Sequence, residues 1–233
     1  MNELIAGKIL SAIVYAVYAA FWIRFLMHAL VWWRASRRLL PEMPAVYGSR
    51  LNVWALTMLD VTMLGRLFIV NPALWLGEWL FHASFLLVLL RHLRFFLDPV
   101  PGWVWSMQMP GLIASYFLPM PLIYILAIRL LTKNEKYSSR ANLLMLILML
   151  VISLLGLAMY LAFKPDLAGV KLFILGILSF APQPAPQSLL FLAHFLFALV
   201  LVVLLPSHIF TAPLVLFEAR KREQELRGVM HEK

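Results

Sequence analysis

The sequence predicts an all-α fold: a polytopic membrane bundle of five transmembrane helices, with an additional interfacial helix on the cytoplasmic side. Three observations predict it. Of the 233 residues, 63% are hydrophobic and 13% charged, whereas a soluble domain is nearer half apolar and a quarter charged. Five apolar runs come close to or exceed the roughly 20 residues a helix needs to cross a bilayer. Basic residues gather in alternate connections, as the positive-inside rule requires.

The first span is expected over residues 9–33, an apolar run longer than the core of a signal peptide. The others are expected over residues 79–96, 112–131, 141–163 and 189–210. The stretch Leu51–Leu76 is apolar too, but Asp60 and Arg66 interrupt it. A sixth span there would invert every later segment against the charge rule, so an amphipathic or re-entrant interfacial segment is expected instead. The connections DPVPGWVW and APQPAPQ carry proline, which limits helix, and the first also carries tryptophan, which favours the membrane interface. Residues 217–233 read as a charged tail, and residues 1–233 as one integral membrane domain.

Arg34, Arg37, Arg38, Arg50 and Arg66 precede the second span; Lys133, Lys136 and Arg140 lie between the third and fourth; Arg220, Lys221, Arg222, Arg227 and Lys233 follow the fifth. The opposite side carries Lys8, Lys164 and Lys171. The expected orientation in a prokaryotic cytoplasmic (inner) membrane is N-terminus outside, C-terminus cytoplasmic. The net charge of +9 therefore serves topology, and no nucleic-acid partner is expected. With no cysteine, thiolate-ligated clusters and covalently attached haem are excluded, so metal or haem ligands must be histidine or methionine.

Four of the six histidines fall in two spans: His82 and His92 in LFHASFLLVLLRHLRFF, His194 and His208 in FLAHFLFALVLVVLLPSHIFTAP. On a helix the pairs are about 15 and 21 Å apart along the axis, and roughly 80° and 40° apart around it. The second and fifth spans run antiparallel. His82 and His208 then share the cytoplasmic level, and His92 and His194 the outer one. Two facing imidazoles at each level suit the axial positions of two haem irons held inside a bundle. Arg91 and Arg94 flank His92, where they either snorkel to headgroups or pair with haem propionates. Other readings are hydrogen-bonded structural histidines, a structural membrane anchor, or a histidine-lined metal transporter, since imidazole also suits zinc and copper. A transporter site gathers its ligands at one depth, usually with carboxylates; here the pairs are split in depth, and Glu78 is the one acid nearby.

With these residues in view, the chain resembles the gamma subunit of respiratory nitrate reductase and its dihaem cytochrome b relatives. The resemblance rests on the five-span layout, the His82–His92 pair, the His194–His208 pair and the segment HIFTAPLVLFEAR. It implies that His82, His92, His194 and His208 ligate two b haems. It also implies that menaquinol or ubiquinol is oxidised near the outer haem, and that electrons pass to a cytoplasmic iron–sulfur subunit of a larger respiratory complex, with further membrane subunits. The His194–His208 spacing is about one turn shorter than in the nitrate reductase branch, and Leu51–Leu76 is extra. Both favour the sulfite-reduction-associated and heterodisulfide-reductase-like branch. The lysine that helps bind quinol in the nitrate reductase subunit has no counterpart. Candidates for a quinone site on the outer side are Arg91, Asp98, Gln108 and Tyr116.

Overall fold

The computed structural model describes residues 2–38, 50–131 and 140–207. Among them every regular element is helical: α1 (Asn2–Arg38), α2 (Arg50–Met63), α3 (Gly65–Val70), α4 (Pro72–His92, with a 3-10 turn Leu93–Phe95), α5 (Gly102–Ser106), α6 (Gln108–Phe117), α7 (Pro119–Leu131), α8 (Arg140–Leu161) and α9 (Leu167–Leu178). A last helix, α10, covers Leu189–Ser207. Five stretches are long and apolar enough to cross a membrane: Glu3–Arg34, Pro72–Phe95, Gly102–Leu131, Arg140–Leu161 and Leu189–Ser207. The chain is an all-α, multi-pass membrane protein. Large apolar side chains such as Ile23, Leu86 and Leu172 point outward, as lipid in place of water permits.

Three spans begin earlier than the hydropathy run suggested, the first at Glu3 rather than Ile9. The second starts at Pro72, not Trp79, because Asn71 caps it: its side-chain oxygen accepts the Leu74 N–H at 3.0 Å. Pro72 sits at the first helical position, where a missing N–H does no harm. The third starts at Gly102, not Leu112, and GWVWS is helical directly after Pro99 and Pro101. It is three joined pieces, α5, α6 and α7. Pro119 cannot donate to the ladder, so the chain turns at Leu118 and resumes as α7.

The interfacial segment is also two pieces. At Leu64, φ is 51°, the left-handed region, and this ends α2 before α3 begins. Arg66 and Asp60 pair across the break at 3.4 Å. The 14 residues of α2 extend about 21 Å, short of the roughly 30 Å hydrocarbon core.

The helix α9 was not expected at all. Its start signal is Asp166, whose carboxylate accepts the Ala168 N–H at 3.0 Å. Its C-terminus closes with Ala181 N–H donating to the Gly176 carbonyl and Phe180 N–H to that of Ile177, Phe180 standing at φ 58°. That pattern is the Schellman closure, with phenylalanine where glycine is usual. The Tyr15 ring stacks on Phe180 at 5.2 Å and its hydroxyl donates to the Ile177 carbonyl at 3.0 Å.

The chain forms two compact units. One comprises Met1–Tyr18 with Leu76–Val202, the other Ala19–Trp75 with Val203–Lys233. The core of the first gathers Val170, Phe173, Ile174 and Ile177 of α9 with Ala185 and Phe191, and packs Phe95, Met159 and Phe195 around them. In the second, Trp75 Nε1 donates to the Met63 carbonyl at 2.7 Å and Phe68 meets Trp75 edge-on at 4.8 Å. The segment 39–49, the connection 132–139 and the tail from 208 onward, including His208 and His231, lie outside the described residues.

Candidate functional site

Three helices build the best-defined polar site. His92 ends α4, His194 lies in the first turns of α10, and their rings face each other in near-parallel planes, 14° apart, with centres 6.4 Å apart. The Nδ1 atom of His92 lies 2.7 Å from the Val88 carbonyl. That of His194 lies 3.0 Å from the Ile152 carbonyl of α8. A carbonyl can only accept, so Nδ1 carries the proton in each ring and Nε2 keeps its lone pair. This is the tautomer of a metal-ligating histidine whose other nitrogen is fixed by a second contact. Gly156, one turn beyond Ile152, lets the ring in: a Cβ there would stand 3.3 Å from His194 Cε1.

The arginines beside His92 are anchored at the same end. Arg94 donates to Gln108 Oε1 at 2.8 Å, and Gln108 Nε2 donates to the Val104 carbonyl at 3.1 Å. The Arg91 guanidinium carbon lies 5.8 Å from the centre of the Tyr160 ring. The stem of Arg91 crosses α6 at Gly111, where a Cβ would come within 2.5 Å of Arg91 Cβ. The Nε atoms of both arginines are buried with no hydrogen-bond partner among the described residues. Of the residues named for a quinone site, Asp98 is paired with Lys171 at 2.9 Å and Gln108 is occupied by Arg94 and the backbone. Tyr116 meets Tyr160 edge-to-face, ring centres 5.6 Å apart. The structure thus brings Arg91 and Tyr116 to a common neighbour, Tyr160, which sequence reasoning missed.

His82 stands ten positions earlier on α4. Its Nδ1 faces the Glu78 carbonyl at 2.7 Å, again leaving Nε2 with the lone pair, and its side chain is 47% exposed. His208, its expected partner, lies outside the described residues. Glu78 belongs inside the second span rather than before it, since α4 begins at Pro72. Its charge is met by Arg129 of α7 at 2.6 Å. Neither member of that ion pair was singled out for the other from the sequence; an acid and a base one helix apart in space carry no linear signature. His28 lies in α1, within the other unit.

No three histidine, aspartate or glutamate side chains converge as a metal-binding group among the described residues. Two facing imidazoles hold an iron when further donors come from elsewhere, and the four nitrogens of a porphyrin are such donors.

No family model and no solved structure matches the chain. Two curated relatives do, and both are described as the cytochrome b-like subunit of an Hdr-like menaquinol oxidoreductase. The one from Archaeoglobus profundus is 36% identical over 57% of this chain and 44% of its own length. The one from Archaeoglobus fulgidus is 35% identical over 46% of this chain and 36% of its own length. The match therefore spans less than half the length of either relative. Within that extent the chain is similar to the heterodisulfide-reductase-like branch of cytochrome b subunits, the branch that the shorter His194–His208 spacing favoured.

Proposed function

We propose that this chain is a dihaem cytochrome b subunit carrying electrons between the membrane quinone pool and a cytoplasmic iron–sulfur partner. The observation that carries the reading is the His92–His194 pair. Two imidazoles bound at about 2 Å on opposite faces of one metal have ring centres roughly 6 Å apart; these rings stand at 6.4 Å, near-parallel. Both rings hold the tautomer that leaves Nε2 for a metal. The likeness to menaquinol oxidoreductase subunits supports the quinone link.

His92 and His194 would hold the outer haem, His82 and His208 the inner one. Haem held by these four imidazoles would supply one-electron transfer there. The protein's share of the work is orientation and charge. Val88 and Ile152 carbonyls fix the two imidazoles in place. Arg91 and Arg94, each with a buried unpartnered Nε, supply cationic donors for propionates. On this reading quinol would give up two protons on the outer side and two electrons at the His92–His194 level, with the His82–His208 level lying toward the partner. With no cysteine, the chain cannot itself hold a thiolate-ligated cluster, so the cytoplasmic acceptor belongs to a partner. The proposed setting is the inner membrane, and the proposed orientation, N-terminus outside, rests on the charge distribution.

The test is a pyridine haemochrome assay with a reduced-minus-oxidised spectrum on the purified protein. Two b haems per chain are expected. A folded preparation with no haem, or with stoichiometric zinc or copper instead, would sink the reading.

A further inference from the structure

We infer that α9 is the water-excluding cap of the His92–His194 site, and that Phe173 is the residue that seals it and so sets the reduction potential there. The part that concerns a potential rests on the haem reading above; the sealing itself does not.

Four observations carry it. First, α9 is built to be buried rather than to cross. Its 12 residues extend about 18 Å, short of the roughly 30 Å hydrocarbon core, and Lys171 is its one charged side chain. Phe173 is fully buried, and Val170, Ile174 and Ile177 on the same face are nearly so. Second, that face meets both helices that bear the imidazoles. Phe95 packs on it, and the Phe95 ring centre is 6.1 Å from that of His92. Phe195, the neighbour of His194, packs on it too, its ring centre 5.7 Å from that of Phe173. Third, Met159 of α8 joins the same cluster one turn beyond Gly156, the residue that leaves room for the His194 ring. Fourth, α9 and the segment after it are tied to the first turns of α1. Tyr15 donates to the Ile177 carbonyl and stacks on Phe180. The Ala185 N–H donates to the Glu3 carbonyl at 3.3 Å, and at Gly7 the α1 backbone lies so close to the Gln183 carbonyl that no side chain fits. The Lys171–Asp98 pair adds little, since Asp98 is 65% exposed.

A dry apolar shell disfavours the more highly charged state of whatever it encloses, and so tunes a metal centre's potential. The ferric state of a bis-imidazole iron carries one positive charge more than the ferrous state. The cap therefore holds the midpoint of that centre up, and water let in behind Phe173 lowers it.

The experiment is a redox titration of the purified full chain, read by the haem spectrum, for the parent, Phe173→Ser, Phe173→Ala and Leu122→Ser. Serine and alanine leave nearly the same hole, but a hole lined by apolar groups stays dry, whereas a hydroxyl gives water a partner. Phe173→Ser should shift one haem roughly tenfold toward its ferric form, a midpoint about 59 mV lower for one electron. That haem is the one lost in His194→Ala. Phe173→Ala should shift it much less. Leu122 is fully buried in α7 and lies outside the cluster round α9, so Leu122→Ser should leave both midpoints in place. Val170→Thr keeps the shape of the parent side chain; it carries the same test where Phe173→Ser does not fold, and should lower the midpoint by less. Hydrogen exchange adds a readout that needs no haem: amides at residues 92–95 and 191–195 should exchange faster in Phe173→Ser than in Phe173→Ala. The inference is overturned if the serine and alanine variants behave alike, since packing alone is then at work. It is also overturned if Leu122→Ser lowers the same midpoint as far, or if both haems move together. Absence of haem from every preparation would instead strike the reading of function and leave the exchange comparison to judge the cap.

Discussion

At the residue scale the His194 imidazole shows how one ring is placed by three separate decisions. Its own helix supplies the side chain, the Ile152 carbonyl of α8 accepts its Nδ1–H, and Gly156 leaves room beside Cε1. Because His92 faces the same space, His92→Ala and His194→Ala should each remove the same haem. Low-temperature spectra of the two variants should be superimposable; loss of different haems would contradict the pairing. Gly156 separates position from ligation. Alanine there puts a methyl at the 3.3 Å contact, and valine adds branches that the ring cannot clear without moving. Gly156→Val should therefore shift the g-values of one ferric haem in an electron paramagnetic resonance spectrum, with Gly156→Ala shifting them less and the second haem unmoved.

At the element scale the Glu78–Arg129 pair ties α4 to α7 within the apolar region. Removing one partner leaves a charge that lipid cannot solvate, which costs about 3 kcal/mol; removing both restores neutrality. Arg129→Leu should lower the thermal midpoint of the solubilised protein by more than the double variant Glu78→Leu with Arg129→Leu. Equal losses would mean the pair is no more than surface decoration. The helix α9 gives a second measurement. Phe173 is fully buried and meets Phe195 at 5.7 Å and Phe191 at 6.3 Å. Phe173→Ala should cost about 3–5 kcal/mol through lost burial and a cavity. Removing the cap with Asp166→Ala should cost nearer 1 kcal/mol. Chemical denaturation monitored by tryptophan fluorescence would rank the two.

At the scale of the whole molecule, the proposed topology puts the two chain termini on opposite sides of the bilayer. In that proposal Lys8, Lys164 and Lys171 lie outside, and the cluster from Arg34 to Arg50 and the tail lie in the cytoplasm. Reporter fusions at Gly48 and Lys233, two positions outside the described residues, should both report cytoplasm. A periplasmic reading at either would contradict the five-span topology. The histidine pair, the Tyr116–Tyr160 ring contact and the Glu78–Arg129 ion pair all belong to the unit made of Met1–Tyr18 and Leu76–Val202. The machinery proposed here for the outer site is thus concentrated in one compact part of the chain.

The sequence by itself determined the fold class, the number of spans, and which spans carry His82, His92 and His194. These follow from local quantities: apolar run length against bilayer thickness, and the need to satisfy every backbone group within its own helix. The starts of α4 and α9 were legible in principle, in Asn71–Pro72 and in Asp166, but apolar length alone passes over a cap. Tertiary structure decided the rest. The separation and tilt of the His92 and His194 rings, the ring contact between Tyr116 and Tyr160, and the 2.6 Å approach of Arg129 to Glu78 join residues 44 to 102 positions apart. Each depends on the rotation and tilt of one helix against another, which packing sets and hydropathy does not encode.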